Sequence, residues 1–76
     1  MKTQKGLAAQ IREYMHKKDI ARGEMADRLG ITTRQLDRYL KRESAPSLAV
    51  AVLVAEELGV TVQTVTRLIL ADRRAA

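Results

Sequence analysis

The 76-residue chain contains no cysteine, which excludes a disulfide framework and any thiolate metal site. Histidine is nearly absent as well. His16 stands alone, and a zinc site would have to draw on carboxylates that show no ligand spacing. The longest strongly apolar run is "LAVAVLVA" at 48–55, far too short to span a bilayer, and no signal-peptide pattern precedes it. The chain is therefore expected to be cytoplasmic, with no membrane partner. Paired carboxylates, a nucleophile with its base and a Gly-rich phosphate loop are also missing, so an enzyme is not expected. Nothing calls for a cofactor, a metal or a small-molecule ligand.

What is present is positive charge, unevenly placed. The net charge is +5 and the pI near 10.1. Residues 1–43 hold eleven Lys and Arg against six Asp and Glu, whereas residues 44–76 hold three against three. All of the excess lies in the first half. A Lys- and Arg-rich face binds phosphates by releasing counterions, so the first half is the expected side for a polyanionic partner.

The length fits one domain over residues 1–76, small enough that marginal stability or dimerisation is expected. Apolar spacing predicts five helices and no strands. The first runs from about Thr3 to Lys17, with Leu7, Ile11 and Met15 on its buried stripe and Gly6 inside its first turn. The second covers about Arg22 to Leu29. Gly30 ends it, because a tight helix-to-helix turn needs backbone that a Cβ would penalise. Thr32 reads as the N-cap of the third helix, about Thr33 to Arg42, and Gln35 completes a capping box. Its inner face is Leu36, Tyr39 and Leu40. After the loop "ESAPS" at 43–47, Ser47 caps a fourth helix, Leu48 to Leu58, which Gly59 stops. Thr61 caps a fifth, about Val62 to Asp72, and "RRAA" reads as a frayed tail.

The chain repeats itself once. "LGITTRQLDR" at 29–38 and "LGVTVQTVTR" at 58–67 share Leu-Gly, a β-branched residue, Thr, an aliphatic seven positions after the Leu and Arg nine positions after it. Two copies are too few for a solenoid. Both match the turn and second helix of a helix-turn-helix, whose second helix presents its polar outer face to the major groove. In the first copy that face offers Thr33, Arg34, Gln35 and Arg38, followed by Lys41 and Arg42. In the second it offers Val62, Gln63, Thr64 and Arg67, followed by Leu68, Ile69 and Leu70. Several large aliphatics cannot face phosphates, so the first copy is the expected reader, and the second a core and interface element.

Over about Ile11 to Leu68, through "EMADRLGITTRQLDRYLKRE", "PSL" and "AEELGVTVQTV", the chain resembles the Xre/Cro-type, phage-repressor-like helix-turn-helix family. The resemblance implies an all-α, five-helix, lambda-repressor-like DNA-binding domain, with the helix-turn-helix at 22–42 and helices four and five forming a core and dimerisation unit at 47–72. Carried over by position, it implies base contacts from Thr33, Arg34, Gln35 and Arg38, and DNA-backbone contacts from Arg22, Thr32, Lys41 and Arg42. Arg22 departs from the Gln often found there, Ala21 from the usual capping Ser, and Gly23 lies inside a helix. The weak cap costs about 0.5–2 kcal/mol relative to Ser. The expected function is sequence-specific double-stranded-DNA binding by a homodimeric transcriptional repressor, with dimer contacts from Val62, Thr66, Ile69 and Leu70, helped by Val50 or Leu53. The alternative is an antitoxin-like or adaptor module whose main partner is a protein.

Overall fold

A computed structural model of the chain describes residues 6–75, and its regular structure there is entirely helical. The elements are α1 (Leu7–Lys18), α2 (Arg22–Leu29), α3 (Thr33–Leu40), α4 (Leu48–Leu58) and α5 (Val62–Ala75). They form the expected small five-helix, lambda-repressor-like fold. α2 packs on α3 and on α4, while α1 packs on α3 and α5, and α4 on α5. No single helix among the described residues is long and apolar enough to cross a membrane.

The apolar spacing decides which faces meet. Leu7 and Ile11 from α1, Met25 and Leu29 from α2, Leu36 and Leu40 from α3, Val54 from α4 and Val65 from α5 are all buried in one cluster. Met15 joins from its edge, half-buried. α4 buries a single helical face. Ala51, Val54 and Ala55 turn inward at helical spacing, and Leu48 and Leu53 stay exposed.

The first four helices end in one way. Asp19, Gly30, Arg42 and Gly59 each adopt left-handed backbone, with φ of 56°, 68°, 62° and 73°. The next residue's N–H then donates to a carbonyl five positions back: Ile20 to Met15 at 2.8 Å, Ile31 to Ala26 at 3.0 Å, Glu43 to Arg38 at 2.9 Å and Val60 to Ala55 at 2.9 Å. This Schellman closure satisfies carbonyls that a helix end would otherwise leave open. It also corrects the expected length of α3. That helix stops at Leu40 rather than continuing to Arg42, because Arg42 supplies the left-handed residue of its closure.

Both ends of the chain also depart from expectation. The expected start at Thr3 lies outside the described residues. Gly6 is not inside α1 but at its N-cap, extended at φ −95° and ψ −173°, with no side chain to cap the helix. The cap comes from far away in sequence. Asp72 on α5 accepts the Ala8 N–H at 3.0 Å, and any Cβ at position 6 would overlap its carboxylate. An acidic group at a helix N-terminus also complements the macrodipole. α5 itself continues through Arg73 and Arg74 to Ala75, where a frayed tail was expected.

Candidate nucleic-acid interface

The entry to α3 is held from both sides. Thr32 is extended, and its hydroxyl accepts the Gln35 N–H at 3.1 Å; the Gln35 side-chain oxygen accepts the Thr32 N–H at 3.0 Å. The anticipated capping box is therefore complete. Behind it, Ile31 packs against the core, and Leu36 and Leu40 seat the inner face, with the Tyr39 ring also buried. The outer face of a short helix is thereby fixed in direction, which a reader of base edges requires.

Thr33, Arg34, Gln35 and Arg38 all lie exposed on α3, and Lys41 is exposed at its C-cap. The structure separates the cations of this half by what already holds them. Arg12, from α1, donates to the Leu40 carbonyl at 2.9 Å and closes the C-terminus of α3. Arg28 pairs with Glu24 at 2.9 Å and with Glu57 at 2.7 Å. Arg22 pairs with Asp37 at 2.9 Å. An Arg in the first turn of α2 opposes that helix's dipole, and the carboxylate from α3 offsets it. Asp37 is thereby engaged by Arg22 and not by Lys41, its i+4 neighbour on α3. The expected lack of a side-chain cap at Ala21 is what the structure has.

Arg42 turns from α3 towards α5. Its Nε lies 3.7 Å from Asp72, beside a cleft of about 320 Å³ that Tyr39, Pro46 and Ile69 also line. Among the described residues, the Arg34, Arg38 and Lys41 side chains have no hydrogen-bond or ion-pair partner.

A second polar group ties the elements together behind this face. The Tyr14 hydroxyl donates to Glu57 at 2.6 Å, and Arg28 donates to the same oxygen at 2.7 Å, joining α1, α2 and α4. The Tyr14 and Arg28 bonds hold the Glu57 carboxyl below its ordinary value, and the bond to Glu57 raises the Tyr14 hydroxyl above its own. Neither this group nor the Arg12, Arg22 and Asp72 bonds was anticipated from sequence. They join residues 15 to 64 positions apart, where no local spacing signals a contact.

The second copy repeats the construction, with Gln63 and Arg67 exposed on its helix. Thr61 accepts the Thr64 N–H at 3.1 Å, and α4 and α5 turn through 111° at the break, as helix-turn-helix pairs do at about 90–120°. Val65 is buried, and Val62, Leu68 and Ile69 pack half-buried against the core. Thr66 is exposed with its hydroxyl on the Val62 carbonyl at 3.0 Å, and Leu70 is 43% exposed.

A capped, basic-faced helix braced across a tight turn by its predecessor, within five helices, defines a helix-turn-helix DNA-binding domain. Residues 9–65 match the model of a helix-turn-helix family, and the chain belongs to that family, the Xre/Cro-like one. Its members are DNA-binding transcription regulators, generally without enzymatic activity. No curated protein and no solved structure gives a significant match to the chain.

Proposed function

We propose that the chain is a sequence-specific regulator that acts as a homodimeric repressor, laying α3 into the major groove of a roughly palindromic operator. The observation that carries this reading is the outer face of α3. Two exposed, unpartnered guanidiniums, Arg34 and Arg38, stand one turn apart on a helix whose entry is clamped by a capping box. Thr33 and Gln35 flank them, and Thr32, Arg22, Lys41 and Arg42 border the same helix where phosphates would run. Dimerisation through Val62, Thr66, Ile69 and Leu70 would set two readers about 34–36 Å apart, one helical turn of DNA. The protein would act in the cytoplasm, on the nucleoid when bound.

Selection from a random duplex library tests the reading. Enrichment of a symmetric sequence is expected, and it should disappear in Arg34→Ala/Arg38→Ala but persist in Gln63→Ala/Arg67→Ala. The opposite pattern would assign reading to the second copy. Leu70→Asp tests the dimer without placing a charge in the core. Sedimentation should show a monomer with weakened operator binding, and an unchanged sedimentation profile would exclude this face. Binding with no sequence preference, alongside a folded chain, would favour the protein-partner module.

A further inference from the structure

We infer that the operator half-site is read through two guanines, by Arg34 and Arg38, and that Gln35 positions α3 instead of reading adenine. This rests on the DNA-reading function proposed above. Six arginines lie between residues 12 and 42. Arg12, Arg22, Arg28 and Arg42 are each held by a carbonyl or a carboxylate. Arg34 and Arg38 alone have no such partner among the described residues. Their five donors each are left over after the fold has used the rest, and the base edge that matches an arginine fork is guanine, through O6 and N7.

Gln35 would need the opposite disposition. To read adenine it must accept from N6 and donate to N7 at once. Its side-chain oxygen is already bonded to the Thr32 N–H at 3.0 Å and lies 3.4 Å from the Thr32 hydroxyl. Turning that oxygen to a base would open the cap and leave an N–H at the start of α3 without its partner. The two free guanidiniums are four residues apart, which is one turn and about 6 Å along the helix. That distance corresponds to about two base steps, so the two guanines should be close neighbours in each half-site.

The test uses the full chain and a duplex obtained by selection, with 7-deazaguanine or 7-deazaadenine placed at each purine in turn to remove its N7 acceptor. Two guanines per half-site are expected to be sensitive. Arg34→Ala should make binding indifferent to one of them and Arg38→Ala to the other, each losing about 5- to 150-fold of discrimination there. Gln35→Glu keeps an acceptor for the Thr32 N–H, so the melting temperature should hold and the two 7-deazaguanine sensitivities should persist, although the added charge weakens binding to every duplex. Gln35→Ala should lower the melting temperature while leaving the preferred bases the same. An adenine whose 7-deaza form weakens binding, and whose preference vanishes in Gln35→Glu, would overturn the assignment while leaving the DNA reading intact. A library that yields no enriched sequence would overturn the DNA reading, and this inference with it.

Discussion

Residues 22–40 and 48–67 repeat one construction in two settings. In each, a helix closes on a left-handed glycine, an aliphatic follows, and a threonine caps the next helix. An aliphatic four positions after that threonine is then buried: Leu36 in the first unit, Val65 in the second. The difference lies on the outer faces. Arg34 and Arg38 stand free on α3, whereas the helix beginning at Val62 turns Leu68 and Ile69 back onto the core and leaves Leu70 exposed. The two units thus share a backbone geometry, and on the reading proposed above the turn supplies a rigid platform while the function would depend on which side chains the fold leaves unengaged.

Matched substitutions in the two units test how far the equivalence goes. The largest effect is expected from the buried aliphatics. Leu36→Ala should cost about 2–5 kcal/mol in denaturant unfolding. Val65→Ala removes a smaller side chain, and about 1.5–3 kcal/mol is expected. A larger cost for Val65→Ala would make α5 the better-packed of the two.

Alanine at either turn glycine meets a left-handed backbone. Gly30→Ala and Gly59→Ala should each cost about 1–2 kcal/mol. The space around them barely differs: a Cβ at Gly30 would sit 3.8 Å from Leu53, in ordinary contact, and one at Gly59 would meet nothing within 4 Å. Unequal losses in thermal melts would show that the two turns carry different strain.

The caps come next. Thr32→Ala and Thr61→Ala should each lose about 0.5–2 kcal/mol. Only Thr32→Ala should also weaken operator binding, since only that cap orients Arg34 and Arg38. Equal loss of DNA affinity in both variants would erase the functional distinction.

The smallest effect concerns the link between the units. Glu57 on α4 holds Arg28 on α2, and its carboxyl sits below its ordinary value of 4.5 in the fold. A carboxyl depressed by folding stabilises above its unfolded value and loses that contribution as pH falls through the folded one. Melting temperature should therefore fall below about pH 4.5 more steeply in the parent chain than in Glu57→Gln. Parallel curves would mean the tie contributes nothing measurable.

The fold was legible in the sequence where its determinants are local. Gly30 and Gly59 end helices, and Thr32, Ser47 and Thr61 begin them, each through bonds within a few residues. Positions such as Ile11, Leu36 and Leu40 announce themselves by helical spacing. Three features escaped. The closure of α3 used Arg42 in a conformation usually left to glycine, so polarity suggested a longer helix. The pairing of Arg22 with Asp37, 15 residues apart, has no local signal in the sequence. Gly6 looked like a flaw inside α1 because nothing nearby in sequence reveals Asp72. The candidate site was legible as a set of residue types. Which of its members are already committed emerges only from contacts across the chain.

The bond from Asp72 to α1 also has a consequence for how the protein is made. The acceptor for the Ala8 N–H lies 64 residues downstream, so during synthesis α1 leaves the ribosome without its cap. Its first turn gains that anchor only when α5 has emerged and docked. A nascent chain stalled before residue 72 would hold the whole of α3 yet lack the carboxylate that caps α1, so the first turn of α1 should resist proteases only once α5 has docked.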